Sequence, residues 1–324
     1  TSFNFFSGVI IKMQKEINSD SINFYFVEEK KSEINNLEQI IQISTVLAQS
    51  ISKIILNAIF GNAYITPTER TAINLFSKEL LFNRNEIVNK LLEYKTSKDQ
   101  KNILKEVQRY PLPIRDSLAI AEDLANLQKN KSEYGFIADA IETEILKGKI
   151  AVSGNGEVLF NPNDTKVKNL NIHLSASVVK SLSNLVFYFR HLAVKNDFII
   201  IDEPELNLHP DNQIIMARLI AKIVNNGFKV LISTHSDYIV KELNNLIRLN
   251  EADKNVVEKY FEKEYPSLEF LDKDKVGVYL FKNKKAISIP VDEYGFEVET
   301  IEKENNTLAE ISERIYYEIF ENKV

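Results

Sequence analysis

Two neighbouring apolar segments of the sequence end in side chains that could act on a phosphorylated substrate. The segment FIIIDEPE (198–205) runs from four apolar residues into Asp202 and Glu203, and KVLISTHS (229–236) contains His235 near its end. An apolar strand rarely ends in two carboxylates by accident, because unpaired buried charge is costly. The pattern favours nucleoside triphosphate hydrolysis, in which Asp202 orients Mg²⁺ through its water shell and Glu203 polarises the attacking water.

His235 strengthens this interpretation, because it follows Glu203 by 32 residues, a spacing that fits one helix and one strand. A histidine at that position can hydrogen-bond the γ-phosphate of the nucleotide and so report its presence. The alternative is that the acidic pair caps a strand end and that His235 is satisfied by contacts within the fold.

The surrounding hydrophobic pattern places both segment ends at one edge of a sheet. Strands and amphipathic helices alternate over 178–194, 197–202, 212–227, 228–234 and 237–249. Fully apolar strands joined by helices are typical of a parallel sheet that is covered on both faces. Because parallel strands present their carboxyl ends at the same edge, the sequence predicts an α/β fold in which Asp202, Glu203 and His235 lie together.

The remaining segments complete three predicted regions, 1–70, 71–148 and 149–324. The first contains a strand at 21–29, a buried helix at 37–59 and a short strand within 61–70. The second is a helical insert with polar breaks. The third opens with a hairpin around the SGNG turn and a further short strand, and it ends with two strands and a helix at 307–320. The predicted sheet is mainly parallel, with a small β-hairpin region beside it.

Composition limits the classes of protein that the chain can belong to. Its hydrophobic content of 44% and charged content of 27% are ordinary for a globular protein, and it has no cysteine that could bind a metal. The net charge of −6 argues against a surface that is basic throughout. No segment approaches the length of a membrane span, so we expect a cytoplasmic protein without a membrane partner. Since residue 1 is Thr rather than Met, we expect a processed chain or a fragment.

The segments FIIIDEPELNLHP and LISTHSDYIVKEL resemble the Walker B, D-loop and switch-histidine segments of ABC-type ATPases. The resemblance is closest to the SMC-, RecF- and OLD-like branch, which includes ATPases of bacterial anti-phage systems of the PARIS and Septu kind. YITPTER (64–70) is similar to a YIPAER-like segment of the same defence ATPases, and the helical insert fits the family plan. The resemblance implies an ABC-type ATPase core that uses ATP and Mg²⁺.

The resemblance also implies roles for individual residues. Asp202 is the Mg²⁺ aspartate, Glu203 the catalytic base and His235 the switch, while His209 stands at the D-loop position. In the segment HLSASVVKSLSNL (173–185), a signature-like sequence opens a helix. By resemblance, Ser175 and Ser177 would bind the γ-phosphate held by an opposite subunit, since helix N-termini attract phosphate. The alternative is that one of these serines is only an N-cap. Lys180 could touch phosphate or be solvated.

The phosphate-binding half of such a site is absent from the sequence, because no G-x-x-x-x-G-K-S/T motif occurs in it. We expect the P-loop to lie N-terminal to these residues in the intact polypeptide, which would then hydrolyse ATP. The resemblance implies a head-to-tail homodimer or higher oligomer that controls a separate effector protein, with a phage protein or DNA as trigger. A DNA-repair ATPase and a non-catalytic scaffold subunit that lost its P-loop are the alternatives.

Three weaker candidates remain. Arg70 could reach a phosphate or pair with Glu69. Asp272 and Asp274 could form part of a nuclease metal site, although a charged turn before a strand explains them more simply. The acidic segment 291–304 is a solvated face or a docking surface for a basic partner.

Overall fold

The structure is a computed structural model, and it describes residues 2–5, 9–15, 22–28, 61–77, 79, 111–154, 156–266 and 269–321. The chain divides into two compact units, Thr1–Ile59 and Phe60–Val324. In the first unit, three strands form an antiparallel sheet: β1 (Ser2–Phe5), β2 (Val9–Lys15) and β3 (Ile22–Glu28). The strand predicted at 21–29 is therefore confirmed. The helix predicted at 37–59 lies outside the described residues.

The second unit contains eight further described strands. They are β4 (Ala63–Thr66), β5 (Gly148–Val152), β6 (Val158–Pro162), β7 (Leu170–Asn171), β8 (Phe198–Asp202), β9 (Lys229–Ser233), β10 (Val278–Lys282) and β11 (Lys285–Ile289). Its described helices are α1 (70–77), α2 (Leu112–Glu122), α3 (Leu124–Leu127), α4 (Gly135–Ala140), α5 (Ser177–Phe187), α6 (Pro210–Asn225), α7 (Asp237–Glu251), α8 (Lys254–Phe261) and α9 (Glu299–Tyr316). π-helical turns continue three of them, namely α4 to Leu146, α5 to Leu192 and α9 to Glu321.

A three-stranded parallel sheet in the order β4-β8-β9 forms the centre of the second unit. This confirms the parallel α/β fold and places β4 beside β8, although 131 residues lie between Thr66 at the end of β4 and Phe198 at the start of β8. Ile199 and Ile201 of β8 are buried. The prediction that apolar strands are covered on both faces is wrong for β9, where Leu231 is exposed. β9 is also an edge strand of the described sheet, with a strand neighbour on one side, whereas β8 has one on both sides.

Asp197 fixes the start of the central strand. Its carboxylate accepts hydrogen bonds from the backbone N–H of Asn62 at 3.0 Å, the Tyr188 hydroxyl at 2.7 Å and the backbone N–H of Val194 at 2.9 Å. Tyr188 in turn stacks on Tyr64 of β4, with ring centroids 4.0 Å apart. Burial raises the pKa of both tyrosine hydroxyls. These contacts join β4, β8 and the end of α5 at the amino edge of the sheet.

The described helices between β4 and β5 pack into the same core as the sheet. Leu124, Ile137 and Ile141 share a hydrophobic cluster with Ile199 of β8 and Leu185 of α5. Glu142 is also buried there, and it accepts hydrogen bonds from Arg190 and from the backbone N–H of Ile150. The domain boundaries at 70/71 and 148/149 stay a prediction, since residues 81–110 of the proposed insert lie outside the described residues.

Two hairpin regions accompany the central sheet, one between β4 and β8 in sequence and one after β9. β5 and β6 pair in antiparallel fashion around the SGNG turn and β7 pairs with β6, which confirms the predicted hairpin and third strand. β10 and β11 form the second hairpin. Before β10, Asp272 accepts a hydrogen bond from the backbone N–H of Asp274 at 3.0 Å. Asp272 thus caps a short 3-10 helix, as expected of a charged turn.

The tail differs from the prediction at two places. α8 was not predicted, and α9 begins at Glu299 rather than near residue 307. Glu299 and Glu302 lie in the first turn of α9, where acidic side chains are favoured by the helix dipole. The acidic run therefore includes a helix start. None of the helices in the described residues has the length and apolarity that crossing a membrane requires.

Candidate active site

Three strand ends meet at the carboxyl edge of the central sheet. β4 ends at Thr66, β8 at Asp202 and β9 at Ser233, and Asp202 is the register partner of Ser233. Arg70 begins α1 just after β4, and the loops after β8 and β9 contain Glu203 and His235. The predicted placement of Asp202, Glu203 and His235 at one edge of the sheet is therefore what the structure shows.

Asp202 and Ser233 are joined across the strand ends. The Ser233 hydroxyl donates a hydrogen bond to Oδ1 of Asp202. The backbone N–H of Glu203 donates to the Ser233 carbonyl at 3.1 Å, which extends the β8–β9 pairing by one residue. The Asp202 side chain remains partly exposed. A partly solvated carboxylate beside a hydroxyl oxygen is a hard-oxygen donor set, which is the type that Mg²⁺ prefers.

Glu203 has an unusual backbone conformation. Its φ of 47° lies in the left-handed region, which is uncommon for a residue other than glycine. This conformation costs about 1–3 kcal/mol, so it persists only where the surrounding structure enforces it. The turn directs the chain out of β8 immediately after Asp202.

Arg70 enforces the turn at Glu203 through hydrogen bonds to the backbone. Its side chain is 1% exposed, and its guanidinium donates to the Asp202 carbonyl at 2.7 Å and to the Glu203 carbonyl at 2.6 Å. A third bond to the Pro67 carbonyl at 3.1 Å closes the turn after β4. Burial lowers the pKa of Arg70, while the nearby carboxylates of Asp202, Glu203 and Glu205 favour its charged form.

Neither role considered for Arg70 from the sequence matches these contacts. The guanidinium bonds to backbone carbonyls rather than to Glu69, whose carboxylate accepts instead from the Thr68 hydroxyl at 3.3 Å. Its burial also argues against direct contact with a phosphate. The one available signal was an arginine a few residues after an apolar strand, which does not reveal its bonding partners.

Glu205 joins the two loops that leave β8 and β9, a role that sequence reasoning missed. One carboxylate oxygen accepts from the Thr234 hydroxyl at 2.9 Å, and the other accepts from the backbone N–H of His235 at 2.7 Å. The third acidic residue of DEPE was the only signal for it. Glu205 holds the backbone of His235 while the imidazole remains exposed.

The helix after the His235 loop is held at its first residue. The Ser236 hydroxyl accepts from the backbone N–H of Ile239 at 3.1 Å, so Ser236 is the N-cap of α7. The same hydroxyl donates to Oε1 of Gln213 on α6 at 2.5 Å. Together with Glu205, this cap fixes the position of His235 from both sides along the chain.

His209, the predicted D-loop residue, lies at the surface as the N-cap residue of α6. Its Nδ1 is 2.7 Å from Oδ1 of Asp211, and this hydrogen bond lowers the pKa of Asp211. The preceding Asn207 has a φ of 64° and donates to the Thr71 hydroxyl of α1 at 3.2 Å. The segment 205–209 is therefore tied to both α1 and the β9 loop.

The signature-like residues are arranged at the start of α5. The Ser175 hydroxyl is buried and donates to the Ile172 carbonyl at 2.7 Å, whereas Ser177 is exposed as the first residue of the helix. The N-cap is Ala176, without a side-chain bond, so the alternative that Ser175 or Ser177 is only an N-cap is wrong. The Lys180 side chain is partly exposed.

A contact from α1 reaches the same helix. The Asn74 amide donates to the Lys180 carbonyl at 2.6 Å and to the Ser183 hydroxyl at 3.0 Å. Arg70 and Asn74 are four residues apart, so they lie on one face of α1. α1 therefore contacts the end of β8 at one position and the first turns of α5 at the next.

The residues at the sheet edge suit a cation that a nucleotide also binds, rather than a cation held by protein ligands alone. Among the described residues, no group of three or more histidine or acidic side chains could hold a metal. Mg²⁺ keeps several waters and commonly takes one carboxylate together with phosphate oxygens, so Asp202 and the Ser233 oxygen fit it. This finding applies equally to Asp272 and Asp274, which belong to no such group.

The comparison with known protein families adds one match. The model of a family described as AAA ATPase domain matches residues 6–240, which include the whole edge formed by β4, β8 and β9. The matched region covers well over half of the 324 residues. No curated protein matches the chain.

Proposed function

The chain belongs to the AAA ATPase domain family, and from this premise we propose that it is an ABC-type ATPase that acts as an ATP-dependent dimerising switch. The observation that carries the proposal is the carboxyl edge of the sheet. There, Arg70 fixes the turn at Glu203 and Glu205 fixes the backbone of His235. Both side chains proposed for catalysis thus stand on supported backbone beside the Asp202 carboxylate.

Each residue of the edge has a distinct chemical role in this proposal. Asp202 and Ser233 would hold Mg²⁺, which neutralises phosphate charge when bound. The Glu203 carboxylate orients a water molecule and takes its proton as the water oxygen bonds to the γ-phosphorus. The bond to the β-phosphate oxygen then breaks and ADP leaves as the product. The exposed His235 imidazole hydrogen-bonds the γ-phosphate.

The remaining contacts would come from outside this edge. We propose that the P-loop lies in a part of the polypeptide beyond these 324 residues, since the sequence contains no such motif. A second subunit would place its Ser175–Ser177 segment and Lys180 against the γ-phosphate in a head-to-tail dimer. The exposure of Ser177 at the first turn of α5 supports this arrangement, because free N–H groups at a helix start attract phosphate.

The Glu203→Gln variant of the full-length protein tests the proposed base. Glutamine keeps the size of the side chain but cannot take a proton, so ATP turnover should fall by about 10²–10⁴-fold. ATP binding should persist, and the variant should form a stable ATP-dependent dimer. Phosphate release and light scattering after gel filtration measure the two effects.

Glu69→Gln is the matched control, because Glu69 lies in the loop after β4 at the same edge and has no role in the mechanism. It should hydrolyse ATP at the wild-type rate. Unchanged turnover in Glu203→Gln would contradict the assignment of the base. Absence of ATP binding by the full-length wild-type protein would instead favour the scaffold alternative, in which the phosphate-binding loop has been lost.

For the biological role, we propose bacterial anti-phage defence in the cytoplasm, on the basis of the resemblance of FIIIDEPELNLHP to ATPases of that kind. The switch would respond to a phage protein or DNA and control a separate effector protein. A DNA-repair ATPase is the second candidate. DNA binding that weakens steeply with salt would favour repair, while the net charge of −6 opposes it.

A further inference from the structure

As far as the described residues show, helix α9 contacts the rest of the second unit only near the start of the helix. Ile301 packs against the second hydrophobic cluster, which includes Leu243 and Phe296. The Asn305 amide donates to Asp237 at 2.9 Å. Beyond this point every residue from 306 to 321 is exposed, and α9 contains no buried residue.

Large apolar side chains form a stripe on this exposed helix. Leu308, Ile311 and Ile315 recur at spacings of three and four residues, so they lie on one face of α9. Ile319 and Phe320 continue the stripe, and these five side chains are between 41% and 66% exposed. Single exposed apolar residues are ordinary, but a contiguous apolar stripe of this kind marks an interaction surface.

The energetics of the helix lead to the same conclusion. In proteins most of the stability of a helix comes from packing of its apolar face, because nucleation of an isolated helix is unfavourable. Asn305, Asn306 and Thr307 lie within α9, although these residue types are poor helix formers. Covering the stripe would supply the packing that the described contacts of α9 with its own chain do not.

The charge around the stripe limits what can cover it. Residues 299–321 contain seven glutamates against two basic residues, Lys303 and Arg314. Glu304 precedes Leu308 by one turn and Glu318 follows Ile315 by one turn, so carboxylates lie in line with the stripe. Two copies of α9 would bring these acidic residues together, whereas a basic partner would neutralise them.

We propose that the stripe formed by Leu308, Ile311, Ile315, Ile319 and Phe320 is the docking face for a partner protein whose apolar surface is bordered by lysine or arginine. The carboxylates of α9 would pair with those basic side chains and fix the register, while the stripe enters an apolar groove or faces an apolar helix. This interaction needs no nucleotide, and it is therefore independent of the proposed ATPase mechanism.

The test uses the full chain without nucleotide and two fluorescent synthetic peptides. Each peptide is an amphipathic helix of about 18 residues, long enough to form a helix on binding, with the same leucine stripe. Lysines flank the stripe in one peptide and glutamates flank it in the other. Fluorescence anisotropy measures binding to the wild-type chain and to Ile311→Asp/Ile315→Asp. The control Val256→Asp/Tyr260→Asp places the same charges on two exposed apolar residues of α8, at the same spacing.

We expect the lysine peptide to bind the wild-type and control chains and to bind Ile311→Asp/Ile315→Asp at least about tenfold more weakly. Its affinity should fall as salt is raised, and the glutamate peptide should not bind. Equal binding of the two peptides, no binding of the lysine peptide, or equal binding to both double variants would overturn the proposal. A wild-type dimer that Ile311→Asp/Ile315→Asp converts to a monomer would also overturn it, because the occupant would then be a second copy.

Discussion

Arg70 shows how a single buried cation can determine the geometry of the proposed catalytic edge through hydrogen bonds to the backbone. Its planar guanidinium donates to two successive carbonyls, those of Asp202 and Glu203, at 2.7 Å and 2.6 Å. Two parallel donors define an orientation as well as a distance, so they hold Glu203 at its positive φ. Arg70 is therefore a positioning residue for the proposed base.

The Arg70→Lys variant should separate charge from geometry. Lysine keeps the positive charge, but its ammonium lacks the planar fork that reaches both carbonyls, so one buried acceptor loses its partner. We expect the free energy of unfolding to fall by about 2–4 kcal/mol, with a matching loss of thermal stability and a lower ATP turnover in the full-length protein. Arg314→Lys, on exposed α9, should leave both unchanged. Wild-type stability of Arg70→Lys would contradict the structural role.

At the scale of elements, the loops at the carboxyl edge of the sheet are hydrogen-bonded to one another. Glu205 in the loop after β8 binds Thr234 and His235 in the loop after β9, and Ser236 then caps α7. α1 contributes Asn74 to the first turns of α5. A displacement of the end of β8 would therefore also displace His235 and the signature-like segment.

Glu205→Gln should weaken the link between the two loops while leaving the strands intact. A carboxamide has one acceptor oxygen, so it cannot accept from both Thr234 and His235 as the carboxylate does. We expect a loss of about 1–2 kcal/mol in the free energy of unfolding and a lower kcat in the full-length protein with nearly unchanged ATP affinity. Single-turnover hydrolysis and a fluorescent ATP analogue measure these separately. A change in affinity alone would contradict a role in positioning His235.

At the scale of the whole molecule, the proposal places one ATP site between two subunits. In the proposal, the described edge provides the Mg²⁺ aspartate, the base and the switch histidine, while Ser177 lies exposed at the start of another helix. A head-to-tail arrangement would bring these surfaces together around the nucleotide. The α9 stripe would remain available for a different partner, so nucleotide and partner could be recognised by separate surfaces.

Ser177→Asp should abolish ATP-dependent dimerisation without harming the fold. An aspartate in the first turn of α5 is favourable for the helix, but its charge would repel a phosphate approaching from the other subunit. In the Glu203→Gln background of the full-length protein, we expect a dimer with ATP that Ser177→Asp converts to a monomer, as measured by light scattering. Asn255→Asp, which adds the same charge in the first turn of α8, should still dimerise. A persistent dimer in Ser177→Asp would contradict the shared site.

Much of the fold follows from local sequence patterns. Apolar strands joined by amphipathic helices predicted the parallel arrangement of β8 and β9. Because parallel strands end at the same edge, this arrangement also predicted that Asp202, Glu203 and His235 share an edge. The start of α9 was missed because its acidic first turn has the same composition as a solvated face. The N-cap of α5 was also missed, since serine is favoured at that position but Ala176 occupies it.

The sequence by itself determined which residues stand at the carboxyl ends of the strands, because periodicity and strand ends are local properties. Only the tertiary structure decided what supports them. Arg70 reaches the Asp202 carbonyl across 132 residues of sequence, and Glu205 reaches the His235 backbone across 30. Such partners depend on the order β4-β8-β9, because that order places side by side strands that are distant in sequence. They also depend on the burial of Arg70, because backbone carbonyls are the acceptors available to its guanidinium there.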